Sequence, residues 1–177
     1  VSKAVFARKG EARPSDALGV AGKRGKSFSS LISRDLGQSL RTYAIASGST
    51  YTELLKEGLS LGVDTAFRGE DQIFKPKTST PTEAASFVIS GSLSDRVRRA
   101  VFETKRTQRS MLEQGLRLLL SRLKKDYPLQ PKALAALTFA SEMTYLARAT
   151  TQARGRNDSV RILAIEAEIE ALQQNFG

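Results

Sequence analysis

The chain has 177 residues, 40% of them hydrophobic, enough for one or two compact domains with a buried core. Its 28 Lys and Arg against 18 Asp and Glu leave a formal net charge of +10, which favours nucleic acid or an anionic membrane surface as partner. With no Cys and no His, disulfides, thiolate or imidazole metal sites and His-based acid–base catalysis are excluded, and no metal or other cofactor is expected.

Residues 1–25 hold Lys and Arg clusters without sustained apolar periodicity, so a flexible basic tail is expected there. The run Gly19-Val-Ala-Gly-Lys-Arg-Gly-Lys-Ser27 has the outline of a phosphate loop. That loop needs Gly where Val20 stands and must open a helix, whereas a strand-like run follows, so nucleotide binding is set aside. No apolar run approaches the roughly 18 residues of a membrane helix, and the first residues lack the apolar segment of a secretory signal. A cytoplasmic protein without membrane contact is the expectation.

Unit one, residues 26–63, opens with the strand-like Ser27-Phe-Ser-Ser-Leu-Ile-Ser33. Leu36, Leu40 and Ala44 recur at i, i+4 and i+8, the stripe of a helix with one buried face. A turn at Gly48-Ser49 precedes a second helix with Thr50 as N-cap and Leu54, Leu55, Leu59 and Leu61 as its buried side. Residues 64–83, with Pro76 and Pro81, are expected to be a linker. Unit two, residues 84–125, repeats the pattern. Its strand is Ala85-Ser-Phe-Val-Ile-Ser90, and its first helix has Leu93, Val97 and Val101. A turn at Lys105-Arg106 leads to a helix capped by Thr107 that buries Met111, Leu112, Leu116 and Leu118.

A shift of 57 residues lays Leu31–Leu61 over Val88–Leu118 without a gap, with nine of 31 positions identical and the apolar pattern kept, which identifies an internal duplication. Gly58 and Gly115 fall at equivalent mid-helix positions, where Gly is unfavourable by about 1 kcal/mol against Ala; close helix–helix approach would explain both. After a break at 126–132, residues 126–177 read as a helical hairpin. One stripe is Ala136, Phe139, Ala140, Met143, Leu146, Ala147 and Thr150. After a turn at Asn157-Asp158, Ile162, Ile165, Ile169, Leu172 and Phe176 follow coiled-coil spacing. Such helices can pack on the core or support self-association.

One strand and two helices cannot close a core alone, but two units can pair their strands and interlock their helices. The expected fold is mainly α with a short two-stranded antiparallel ribbon, a tandem ribbon-helix-helix pseudo-dimer plus C-terminal helices. Such a ribbon fits the major groove of double-stranded DNA. Alternation turns Phe28, Ser30, Ile32, Ala85, Phe87 and Ile89 to the core and Ser27, Ser29, Leu31, Ser33, Ser86, Val88 and Ser90 to the groove. The second helix of each unit would aim its N-terminus at a phosphate, with Ser49 and Thr50 at one corner and Lys105, Arg106, Thr107 and Arg109 at the other. Lys23, Arg24 and Lys26 lead into the first strand and would track the backbone.

The strand, Leu36…Leu40…Ala44 and Gly48-Ser-Thr-Tyr-Thr-Glu-Leu-Leu55 resemble the ribbon-helix-helix superfamily. Within it, residues 26–125 are most similar to the family of the second protein of the virC operon, from the plant-tumour plasmid virulence system. The resemblance implies binding near a T-DNA border and its overdrive sequence, and assistance to a relaxase and other DNA-transfer proteins at a border or transfer origin. Ser27, Ser29, Leu31, Ser86 and Val88 stand at the family's ribbon positions, where the wider superfamily more usually carries Arg, Lys, Asn, Gln or Thr. Ser141-Glu-Met-Thr-Tyr-Leu-Ala-Arg-Ala149 is faintly similar to plasmid mobilisation accessory proteins. The alternative within the same superfamily is a plasmid-encoded transcriptional repressor or antitoxin. An enzyme is not expected: Tyr43, Tyr51, Tyr127 and Tyr145 could act as nucleophiles only beside a catalytic metal, for which no ligand cluster is evident.

Overall fold

A computed structural model describes residues 25–69 and 81–176. The described chain is mainly helical, with one two-stranded antiparallel sheet. β1 (Lys26–Ser33) runs directly into α1 (Arg34–Ser47), followed by α2 (Tyr51–Arg68). The same order recurs as β2 (Thr82–Ile89), α3 (Gly91–Thr104) and α4 (Gln108–Asp126), and α5 (Pro131–Gly155) and α6 (Ser159–Phe176) close the chain.

The strands form because polar and apolar residues alternate, so that one face can be buried and the other left open. In the register Phe28 lies opposite Phe87, Ser29 opposite Ser86, and Ile32 opposite Glu83. Phe28, Ile32, Ala85, Phe87 and Ile89 are buried as expected, with the two phenyl rings 5.1 Å apart in a tilted arrangement. Beneath this face α2 and α4 cross. Leu55, Leu59, Leu112 and Leu116 are essentially inaccessible to solvent and fill the centre together with Ile32 and Leu40.

Glycine sets how closely those helices approach. A Cβ on Gly115 would fall on the Gly58 carbonyl and the Gly62 amide, and one on Gly62 would fall on the Met111 carbonyl. The close approach expected from Gly58 and Gly115 is therefore present, with Gly62 as a third member. Thr50 caps α2 in a full capping box: its hydroxyl accepts from the Glu53 N–H, and the Glu53 carboxylate accepts from the Thr50 N–H. Thr107 caps α4 more simply, accepting from the Ser110 N–H. α1 ends on Gly48 in the left-handed region (φ 69°), and the equivalent end of α3 is Lys105 (φ 56°).

The C-terminal hairpin packs on the core through α5, which lies along α1. α6 packs on α5 through Ile162, Ile165, Ile169 and Leu172 of the expected coiled-coil seam, against Leu146 and Ala153, while the Phe176 side chain lies outside the described residues. Asn157 takes a positive φ of 53° in the turn, and the Asp158 carboxylate accepts from the Arg161 N–H. No helix among the described residues is long and apolar enough to cross a membrane.

Several expected details are corrected. α2 continues to Arg68 and β2 starts at Thr82, so the regular elements reach into the expected linker 64–83, of which residues 70–80 lie outside the described residues. Val63 and Ala66 extend the α2 core, and Leu61 is only half-buried. Leu118 points outward because α4 turns Leu119, Leu120 and Leu123 inward instead. Ala136, Ala140 and Ala147 of the expected α5 stripe are exposed, while polar Ser141 and Glu142 are buried. α5 has two contact faces, one for α6 and a polar one for α1, and a single apolar stripe cannot describe both.

Candidate nucleic-acid interface

The ribbon presents a continuous outward face. Ser27 and Val88, Ser29 and Ser86, and Leu31 and Ala84 form its three cross-strand pairs, and all six residues are exposed. The face carries no charge. At its centre the Ser29 and Ser86 hydroxyls hydrogen-bond to each other at 2.9 Å. That bond uses one of the two O–H donors, so one donor and several lone pairs remain for another partner. Leu31 and Val88, about half exposed, offer apolar contact toward opposite ends. Ala84 belongs to this face and was missed. Pro81, Glu83 and the weak strand preference of Ala hid the first turns of β2 in the sequence.

Two expected groove residues do not lie on that face. Ser33 is buried, because β1 turns straight into α1 there and the Arg34 N–H donates to the Pro81 carbonyl at 2.9 Å. Ser90 stands beyond the end of β2 and caps α3, its hydroxyl accepting from the Leu93 N–H at 3.2 Å and bonding to the Ser92 hydroxyl. Strand alternation fails at both because each residue is the junction with a helix.

Thr50 and Thr107 sit, as expected, at the N-termini of α2 and α4, where free N–H groups and the helix dipole favour anions. Ser49, half-buried, gives its N–H to the Ala44 carbonyl at 3.0 Å. Around the second corner the side chains are engaged internally. Arg109 Nε donates to Glu113 at 3.0 Å, and Glu113 is wholly buried. Arg106 donates to Gln114 at 3.2 Å, and Lys105 lies 4.6 Å over the Phe102 ring. Lys26 is exposed at the ribbon's edge and pairs with Asp95 at 3.3 Å. Lys23 and Arg24 lie outside the described residues.

The densest electrostatic feature is elsewhere, between α1, β2 and α5. Arg41 is buried between Glu83 (2.6 Å) and Glu142 (2.7 Å), with its guanidinium 4.1 Å over the Tyr145 ring. The Tyr51 hydroxyl donates to Glu83 at 3.1 Å, and Gly37 leaves room for that carboxylate. Burial opposes the charge on Arg41, but hydrogen bonds and attraction to Glu83 and Glu142 outweigh it and raise its pKa. Burial and the neighbouring Glu83 carboxylate raise the pKa of Tyr51 far up, and raise that of Tyr145 in the same direction, so both phenols are held protonated. A charged Glu83 on the core-facing side of a strand is the signal that could have revealed the cluster; its partners Arg41 and Tyr51 are 42 and 32 positions away.

No protein-family model, no curated protein and no solved structure matches the chain.

Proposed function

We propose that the chain binds double-stranded DNA as a tandem ribbon-helix-helix protein. β1 and β2 enter the major groove, and the N-termini of α2 and α4 meet the flanking phosphates. One observation carries the reading. Ser29 and Ser86 are opposite one another in the ribbon, and they are also 57 residues apart, so the repeat maps this pair onto itself. A ribbon whose centre is the fixed point of the duplication has the two-fold arrangement that two half-sites of duplex DNA require. The uncharged outward face and the net charge of +10 support a division of labour. Lys and Arg around the ribbon supply affinity through phosphates, while Ser hydroxyls and the Leu31 and Val88 methyls touch base edges and thymine methyls.

The repeat is imperfect where it matters for reading. Leu31 stands for Val88 and Ser27 for Ala84, so the preferred site is not a perfect palindrome. A directional site suits a transfer origin or T-DNA border, and the biological role we propose is that of an accessory factor helping a relaxase to process such a site. Fluorescence anisotropy on duplexes at increasing salt tests the binding. If about five phosphates are contacted, the log–log slope is near −4 to −5. Footprinting on transfer-origin and border DNA, with the gene's own promoter alongside, then tests the role. Protection confined to the promoter would make the protein a repressor instead, and an affinity indifferent to salt would overturn DNA binding by this route.

A further inference from the structure

The repeat makes one surface conspicuous. Positions Arg41 and Thr42 of α1 correspond to Arg98 and Arg99 of α3. In α1 this face is covered by a helix, α5, which brings the Glu142 carboxylate to Arg41 and a threonine hydroxyl, Thr138, within 3.2 Å of Thr42. In α3 no described helix covers the same face: the side chains of Arg98 and Arg99 are 69% and 71% exposed, with Asp95 4.0 Å from Arg98, Glu103 2.9 Å from Arg99 and the Phe67 ring 5.5 Å from the Arg99 guanidinium, and Phe102 beside them is 74% exposed. Lys105 adds a further positive charge over the Phe102 ring.

A surface of matching chemistry exists on α6. Its inward seam is spent on α5, but Val160 (79% exposed) and Leu163 (67% exposed) point the other way, and exposed Ala167 continues that stripe at helical spacing. Glu166 and Glu170, both exposed and one turn apart, run along its edge. Phe102, Val160 and Leu163 are the three most exposed large apolar side chains among the described residues. One lies among three cations, Arg98, Arg99 and Lys105, that outnumber the carboxylates Asp95 and Glu103, and two lie beside an acidic edge.

We infer that the chain self-associates head to tail, the outward face of α6 in one copy seating on the Arg98–Arg99–Phe102 face of α3 in the next. The arrangement repeats between molecules what α5 does to α1 within one: an apolar helix face is laid down with a carboxylate brought to an arginine. A second copy supplies the helix because α6 of the same chain is held on α5 and tied to the start of α1 by the Arg34–Glu168 pair at 2.7 Å. The two faces differ, so the contact is heterologous and generates rows rather than a closed two-fold dimer. On the DNA-binding reading proposed above, such rows give cooperative occupation of adjacent sites. The self-association itself does not depend on that reading and is tested without DNA.

A single helix-on-helix contact is small, so sedimentation velocity of the full chain is run up to about 1 mM, the range in which weak interfaces populate. The expected result is a sedimentation coefficient that keeps rising with concentration past the dimer. Arg98→Glu with Arg99→Glu, and separately Glu166→Arg with Glu170→Arg, each set like charges face to face and should sediment as monomers. Circular dichroism should remain that of the starting protein, since all four residues are exposed. Mixing the two variants in equal amounts makes both contacts complementary again and should restore the rows. A starting protein that stays monomeric throughout overturns the inference, as does assembly that stops at a dimer or one that neither variant disturbs. Variants that lose assembly and are not rescued by mixing overturn it too, since the two faces would then not meet each other.

Discussion

α1 and α3 occupy the same place in the repeat, each following its strand and preceding the helix that crosses at the centre, yet their outer faces have opposite fates. Arg41 is enclosed by two carboxylates and two tyrosine rings; Arg98, its equivalent, stands in solvent with Asp95 at 4.0 Å. The residue type is the same, and the third layer above it decides the energetics. A duplicated sequence thus specifies strand, helix and central core twice, but the C-terminal hairpin can cover only one copy. A buried arginine is tolerable only with its charge matched, and α5 and β2 each supply a carboxylate for that.

The largest expected effect breaks the comparison at this point. Arg41→Ala leaves Glu83 and Glu142 buried with their common cation lost and should destabilise the protein by about 3–5 kcal/mol, the usual result of stranding a buried charge. Arg98→Ala, at the position equivalent to Arg41, should change stability by no more than about 0.5 kcal/mol. Urea unfolding of both variants measures the contrast, and equal losses would mean that the hairpin does not distinguish the two copies.

The next effect concerns the crossing of α2 and α4, where the copies are equivalent in sequence but not in contact. A methyl at Gly115 meets backbone, whereas a methyl at Gly58 meets chiefly the end of the Leu116 side chain, which can shift. Gly115→Ala should lower stability by about 3 kcal/mol or more, because overpacking against backbone cannot relax. Gly58→Ala should lower it by less, roughly 1–2 kcal/mol, since the gain of about 1 kcal/mol in helix propensity offsets part of the clash. Thermal unfolding ranks the two.

The helix caps differ in kind. Thr50→Ala removes a reciprocal box and Thr107→Ala a single bond, so each should lower stability by about 1 kcal/mol with Thr50 the larger. Only the first responds to acid. Hydrogen bonds from the Thr50 N–H and then its hydroxyl lower the Glu53 pKa, so the box is complete above the ordinary value of 4.5 and is lost as pH falls through the lowered one. Unit two has Ser110 at that position and no such transition. Amide exchange at the start of α2 should quicken in acid relative to the start of α4; parallel behaviour would contradict the assignment.

The smallest expected effect lies at the helix ends. Lys105 holds a left-handed conformation that the repeat gives to Gly48 in the other copy. Lys105→Gly should raise stability by up to about 1 kcal/mol and Gly48→Ala should lower it by a similar amount. A loss on Lys105→Gly would show that the contact of its ammonium with the Phe102 ring outweighs the backbone strain.

The repeat, both strands, the buried Phe28, Ile32, Phe87 and Ile89, and the caps Thr50 and Thr107 were legible because each follows from a short-range pattern: alternation, helical spacing, or a hydroxyl before a helix. What was not legible depends on long-range partners. Nothing near Arg109 announces that its guanidinium turns back to a buried Glu113, since one turn of separation is equally the mark of a solvated pair. Glu142 reads as an exposed polar residue until α5 is laid on α1. Ser33 and Ser90 were misread because alternation was carried one residue too far, into the junctions where hydroxyl and backbone serve the following helix. Ala84 was lost at the opposite end, where β2 begins before its strong strand formers.

The central claim is that the β1–β2 ribbon is the surface that meets DNA, and backbone amide chemical shifts recorded while a duplex is titrated into the protein test it most directly. The account predicts that the largest changes fall on Ser27–Leu31 and Ala84–Val88, joined by Thr50 and Thr107 at the helix N-termini, with the inward seam of the C-terminal hairpin unmoved. Changes concentrated on α5 and α6 or on the open face of α3, with the ribbon amides left in place, would contradict it.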